Sequence, residues 1–158
     1  MLRAEFLAIA RTWIDTPWHH QTAVKGVGCD CLGFIRGSVI EAGLRSADMH
    51  SWPGVEQFFG YGRMPDGTSI QRACDLYLQR IEFKDVQPAD VLLCRFRGGP
   101  AQHVGVFSKR SEDGRLYWIH ADSQRHGTQP GKVEEVRLEF SPRYMMLVQA
   151  YRVPGLDG

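Results

Sequence analysis

The chain has 158 residues, of which 43% are hydrophobic and 23% charged, values close to the globular average that exclude disordered and fibrous classes. Nineteen basic and eighteen acidic residues give a formal charge of +1, without the basic stripe typical of nucleic-acid-binding proteins. No stretch approaches the roughly 18 consecutive apolar residues that a membrane-spanning helix requires. The composition therefore predicts one domain over residues 1–158 that does not bind nucleic acid and does not insert into a membrane.

The amino-terminal segment has the spacing of an amphipathic helix that ends before Thr16-Pro17. Arg3, Glu5 and Arg11 interrupt its apolar positions, so it lacks the continuous apolar run of a signal peptide. We therefore expect synthesis and folding in the cytoplasm, with any export by another route.

Two further helices are predicted before the strands begin. A polar loop over residues 18–30 precedes a helix from Cys31 to Ala42, and Gly43 occupies the position where helices commonly end in glycine. Residues 44–68 are rich in Gly, Pro, Ser and Asp and predict a long loop. A third helix is predicted from Ile70 to Arg80.

The carboxy-terminal half has strand-like runs separated by turn residues. Helices followed by hairpin-linked strands are typical of an α+β domain. We therefore predict N-terminal helices packed on a five-stranded antiparallel sheet, with strands at Val91–Phe96, His103–Ser108, Leu116–Ala121, Val133–Phe140 and Met146–Val153.

Cys31 is the candidate nucleophile because it falls at a predicted helix start. Asp30 suits the N-cap position, where its carboxylate accepts hydrogen bonds from first-turn amides. The partial positive charge at a helix N-terminus favours the thiolate, so we expect a lowered pKa for the Cys31 thiol. A first-turn amide could also help form an oxyanion hole. Taken alone, however, a cysteine at this position is more often a small buried core residue.

The other cysteines are predicted to have no catalytic role and to be reduced, since no secretory signal favours disulfides. Cys29 lies before the helix cap, and Cys74 and Cys94 lie in a predicted helix and strand. A zinc site using Cys29, Cys31 and histidines is the alternative, but Cys-x-Cys lacks the paired Cys-x-x-Cys spacing of structural zinc sites. We therefore expect no metal and no cofactor.

Two histidines on predicted strands are candidates for the base and its orienting partner. His103 shares one strand face with Gly105, and Gly105 leaves space that would suit close approach of the Cys31 helix. If the two strands pair, His120 faces His103, accepts its second ring N–H and fixes its tautomer. Asp122 is the alternative orienting residue.

Five fragments occur in the order found in one enzyme family. Together they resemble the NlpC-type family of papain-like cell-wall cysteine peptidases, and the resemblance covers about residues 10 to 150. It implies that Cys31, His103 and His120 are catalytic and that Trp18, Asp30 and Leu32 lie near the substrate or the oxyanion. The fragments are Thr16-Pro17-Trp18, Asp30-Cys31-Leu32-Gly33, Pro88-Ala89-Asp90-Val91, His103-Val104-Gly105-Val106 and Ile119-His120-Ala121.

The run from His20 to Gly33 is similar to a narrower branch, the cell-wall peptidases of tailed phages and gene transfer agents. This similarity implies an endopeptidase that cuts the γ-D-glutamyl–diamino-acid bond of peptidoglycan stem peptides. It also implies tail hub or baseplate proteins as partners and a location in a phage-like particle that acts on the wall of the target cell.

Two positions depart from the family pattern: Leu32 replaces a serine, and Trp18 replaces a tyrosine. Indole donates from its N–H but cannot accept a hydrogen bond. His19 and His20 adjoin this position and could supply a polar contact, although exposed loop histidines are the simpler interpretation. A structural tail component that has kept the fold without activity is therefore an alternative, as is an amidase or acyltransferase with the same dyad.

Overall fold

The computed structural model describes residues 1–45, 68–123 and 130–157. Within these ranges, three helices precede most of the strands: α1 (Arg3–Arg11), α2 (Cys31–Glu41) and α3 (Ser69–Tyr77). The strands are β1 (Ala23–Val24), β2 (Gly28–Cys29), β3 (Gln79–Ile81), β4 (Val91–Phe96), β5 (Ala101–Arg110), β6 (Leu116–Ala121), β7 (Val133–Leu138) and β8 (Met145–Arg152).

The main sheet has six antiparallel strands in the order β3-β8-β4-β5-β6-β7, which confirms the predicted α+β class. The sixth strand is β3, at the position where the third helix was predicted to continue to Arg80. That helix ends early because Leu78 is extended and residues 79–81 pair with β8. Arg80 then binds Asp75, whose carboxylate also accepts a hydrogen bond from Tyr151.

Two loop predictions have different outcomes. The predicted polar loop 18–30 contains the small hairpin β1-β2, which turns through Gly26 at a φ of +76°. Two-residue strands are too short to leave a periodic pattern in the sequence. The predicted long loop 44–68 falls almost entirely outside the described residues.

The sheet separates two groups of buried side chains. The helical face contains the larger group, in which α1 and α2 pack against Val104, Val106 and Ile119. The opposite face holds a smaller group that includes Phe107 and Trp118. Within the described ranges no helix is long and apolar enough to cross a membrane, α2 being the longest at 11 residues.

Asp90 links the amino-terminal helix to the sheet through hydrogen bonds. Its buried carboxylate accepts hydrogen bonds from Arg3 at 2.9 Å and from Arg152 at 3.0 and 3.1 Å, and also from the backbone N–H of Gln87 at 2.8 Å. This arrangement gives the Pro88–Val91 fragment a structural role at the start of β4.

Candidate active site

The N-terminus of α2 is capped as the sequence predicts. Asp30 has extended backbone angles, and its Oδ1 accepts a hydrogen bond from the Gly33 N–H at 2.8 Å. Its Oδ2 accepts from the Gln21 N–H at 2.7 Å, which ties the preceding loop to the helix. A Cβ at Gly33 would lie 2.0 Å from the Thr22 carbonyl oxygen, so only glycine fits here. Cys31 is consequently held as the first residue of the helix.

The environment of the Cys31 thiol differs from the sequence-based expectation. Burial, followed by the negative charge of Asp30, raises the pKa of the Cys31 thiol to about 12. Hydrogen bonds from the backbone N–H groups of Val104, Leu32 and Cys31 itself lower it, but by less. Desolvation of the charged form therefore outweighs the field of the helix N-terminus, and the predicted lowering of this pKa is wrong. The thiol is neutral at physiological pH.

The other residues predicted near the nucleophile occupy different environments. The Leu32 side chain is buried in the core, and its backbone N–H is the group that reaches the thiol. Trp18 is half-buried; its backbone N–H donates to the Gly131 carbonyl oxygen at 2.8 Å, and its ring stacks on that of His20 with centroids 6.3 Å apart. The Nδ1 of His20 lies 3.8 Å from Oδ2 of Asp30. Trp18 and His20 therefore stand beside the helix cap.

His103 and His120 meet as predicted. Strands β5 and β6 are antiparallel neighbours with Gly105 opposite His120, so both imidazoles lie on one face of the sheet. His103 Nε2 and His120 Nδ1 are 2.7 Å apart, and both residues are buried. His120, rather than Asp122, thus forms the hydrogen bond to the His103 ring. Nδ1 is therefore the nitrogen of His103 that can take a proton from a thiol.

Trp118 fixes the positions of both histidine rings. Its ring stacks on His120 with centroids 4.6 Å apart and meets His103 edge-on at 5.3 Å. A Cβ at Gly105 would lie 2.5 Å from Trp118, so glycine is required for this packing. The space at Gly105 therefore holds Trp118, and the expectation that it accommodates the Cys31 helix is wrong. The sequence has no signal for this contact, because it depends on the pairing register of β5 and β6.

Burial keeps both imidazoles uncharged. It lowers the pKa of His103 well below 6.5, and the neighbouring His120 lowers it further. Burial also lowers the pKa of His120 to about 4, against the opposing effect of the Glu134 carboxylate. Glu134 stands directly opposite His120 on β7, and this residue was not identified from the sequence. In a neutral pair, one ring donates and the other accepts the shared hydrogen bond.

The Cys31 thiol is linked to the histidine pair by the backbone of β5. Of the three backbone N–H groups that lower the thiol pKa, that of Val104 has the largest effect, and Val104 directly follows His103. In the described part of the chain, no hydrogen bond joins the Cys31 thiol directly to the His103 ring. Catalytic hydrogen bonds are often long without substrate and tighten in the Michaelis complex. The ground state is therefore a neutral thiol beside a neutral imidazole pair.

The remaining cysteines are buried free thiols, as predicted. Burial raises the pKa of Cys29 and Cys94 to about 12 and raises that of Cys74 as well. Cys31 shares this raised pKa, so what distinguishes it is its place as the first residue of α2; none of the other three cysteines begins a helix.

An open cleft of about 710 Å³ lies beside His120. Aromatic side chains form part of its wall, and carboxylates and a guanidinium supply its polar groups. Such a mixture suits a peptide that carries both charged and apolar groups. The lining includes Phe96, Trp118, Tyr144, Asp122, Glu134 and Arg137.

No family model matches the chain, and no curated protein matches it. Among solved structures, it resembles the NlpC/p60 domain of the peptidoglycan hydrolase SagA at 18% identity, with a TM-score of 0.53 over 96% of this chain and 98% of that one. It also resembles a Staphylococcus aureus Mu50 protein described as similar to lipoprotein, of the NLP/P60 family, at 18% identity and a TM-score of 0.55. That match covers 99% of this chain and 42% of the other, so this chain spans less than half of the staphylococcal protein. The chain thus has the NlpC/p60 fold.

Proposed function

We propose that the protein is a cysteine hydrolase that cuts amide bonds in peptidoglycan stem peptides, with Cys31 as nucleophile and His103 as base. The observation that carries the proposal has two parts. Cys31 begins the capped helix α2, and its thiol is acted on by the backbone N–H of Val104. Val104 directly follows His103 on β5, and the His103 ring is hydrogen-bonded to His120. The NlpC/p60 fold and the order of the sequence fragments support the cell wall as the target.

The neutral resting pair defines the first chemical step. Cys31 Sγ attacks the amide carbonyl while Nδ1 of His103 takes the thiol proton, so charge develops only as the bond forms. His120 accepts the Nε2–H of the resulting imidazolium and stabilises it. The backbone N–H groups of Cys31, Leu32 and Val104 act on the thiol and are the candidate oxyanion donors.

The second half of the reaction releases both products. His103 returns its proton to the leaving amine, and the acyl group remains on Cys31 as a thioester. Water, deprotonated by the neutral His103, then attacks the thioester to give a carboxylate and the free thiol. No metal ion or organic cofactor takes part in these steps.

The bond proposed is the one between D-glutamate and the diamino acid. The resemblance of the fragments to NlpC-type peptidases supports this choice. The cleft adds a chemical argument, because its carboxylates and Arg137 match the amine and carboxylates of such a stem peptide.

Carriage in a phage-like tail, with hub or baseplate proteins as partners, is a further proposal that rests on the run from His20 to Gly33. It would place the enzyme at the wall of the target cell during delivery of DNA. Detection of the protein in purified particles, and its absence from particle-free supernatant, is the expected result.

The experiment for the proposed reaction is digestion of diamino-acid-type peptidoglycan, with the fragments resolved by mass spectrometry. Cleavage after D-glutamate is expected for the natural protein and for Cys29→Ala, and not for Cys31→Ala. Cys29 is the matched control because it is a buried thiol two residues away. If no variant releases fragments while circular dichroism shows an intact fold, the protein is a structural component.

A further inference from the structure

Three side chains with metal-binding atoms converge beside the histidine pair. His120 lies on β6, Asp122 follows the last residue of that strand, and Glu134 is directly opposite His120 on β7. One ligand atom from each lies within 4.8 Å of the others. We propose that His120, Asp122 and Glu134 form a zinc-binding site that inhibits the enzyme when occupied.

The second, independent observation is an unpaired nitrogen at this point. His120 is buried, and its Nε2 has no hydrogen-bond partner among the described residues. Its Nδ1 is already engaged by His103, so Nε2 is the ring atom left for a metal ion, and it lies 3.9 Å from the Glu134 carboxylate. A buried polar atom without a partner is costly, and a metal ion satisfies it.

The distances and charges suit zinc. Two atoms bound to one tetrahedral zinc ion lie about 3.3 Å apart. His120 Nε2 and the Glu134 carboxylate are 3.9 Å apart, so a rotation of the carboxylate closes the gap. An imidazole and two carboxylates supply the nitrogen and oxygen ligands that zinc accepts and balance its charge. The adjoining cleft provides an entry path and room for a water molecule as fourth ligand.

Occupation of this site changes which nitrogen of each histidine carries a proton. In the proposed reaction, Nδ1 of His120 accepts from His103, so the His120 proton must reside on Nε2. Zinc can bind Nε2 only in the other tautomer, in which the His120 proton has moved to Nδ1; Nδ1 then donates to Nε2 of His103. Neutral His103 must then carry its own proton on Nδ1 and cannot receive one from Cys31. The inhibition rests on the proposed function, whereas zinc binding does not.

Binding is tested by titrating zinc chloride into Cys31→Ala by calorimetry, because this variant lacks the thiol that would itself bind zinc. One zinc ion per chain is expected. In the same background, Glu134→Gln should weaken binding by more than the roughly 10–100-fold that loss of a group supporting a metal ligand costs. Glu139→Gln is the matched control, since Glu139 lines the same cleft outside the cluster and pairs with Arg137.

Nitrogen NMR of the histidine rings locates the metal if a variant fails to fold. On addition of zinc, the resonance of His120 Nε2 should move to a metal-bound position, and Nδ1 should gain a proton. In the natural enzyme, zinc should slow hydrolysis, and Glu134→Gln should relieve this inhibition. Absence of zinc binding, equal affinity in Glu134→Gln, or an unchanged Nε2 resonance would overturn the proposal, even if the enzyme proves active.

Discussion

Gly105→Ala tests whether Trp118 positions the catalytic histidines. The new Cβ would lie 2.5 Å from the Trp118 ring and 3.0 Å from the Cβ of His120. Carbon atoms in contact are about 3.5–4.0 Å apart, so the ring must retreat by about 1 Å. Because this ring stacks on His120, a similar shift would lengthen the 2.7 Å bond between the two imidazoles beyond hydrogen-bonding range.

Two quantities should change in Gly105→Ala. Overpacking should lower the free energy of unfolding by about 1–3 kcal/mol in urea denaturation. Displacement of a catalytic group by about 1 Å should lower kcat/KM for a stem peptide by about 100-fold. The matched control is Gly37→Ala, whose Cβ would lie 2.1 Å from Trp13, inside the helical core. It should lose stability but keep its activity when assayed while folded. Unchanged kcat/KM in Gly105→Ala, or an equal loss of kcat/KM in Gly37→Ala, would refute the positioning argument.

Three other predictions concern the nucleophile and the scaffold. The alkylation rate of Cys31 by iodoacetamide should rise about tenfold per pH unit from pH 6 to 9, because the thiolate fraction grows with pH below a pKa of about 12; a flat rate over this range would indicate a thiolate–imidazolium pair instead. Asp90→Ala should lower the free energy of unfolding by about 3–5 kcal/mol in urea, because it leaves the charges of Arg3 and Arg152 uncompensated; a loss below about 1 kcal/mol would contradict this. Gly33→Ala should lower the melting temperature, because its Cβ meets the rigid Thr22 carbonyl, and an unchanged melting temperature would show that the loop yields freely.

Local patterns in the sequence were sufficient for much of the site. The N-cap at Asp30 follows from a short polar residue ahead of an apolar helix, and the structure confirms it. The pairing of β5 with β6 follows from two alternating runs joined by a turn, and it brings His103 to His120.

The features that the sequence did not predict depend on distant parts of the chain. Strand β3 forms because residues 79–81 pair with β8, although their local sequence favours continuation of the helix. The neutral state of the Cys31 thiol depends on its burial in the folded protein. Helix-capping patterns describe only the local sequence and do not predict this burial. Glu134 reaches His120 only through the register of β7 on β6. Each of these features is a property of strand pairing or packing rather than of a short segment.

The most direct test of the central claim is detection of the acyl group on Cys31. The protein would be mixed with a γ-D-glutamyl–diamino-acid stem peptide, quenched in acid within milliseconds and digested for mass spectrometry. The expected result is a fragment containing Cys31 that carries the peptide portion ending in D-glutamate, absent in Cys31→Ala. Hydrolysis without this adduct on Cys31, or hydrolysis by Cys31→Ala, would contradict the assignment of Cys31 as the nucleophile.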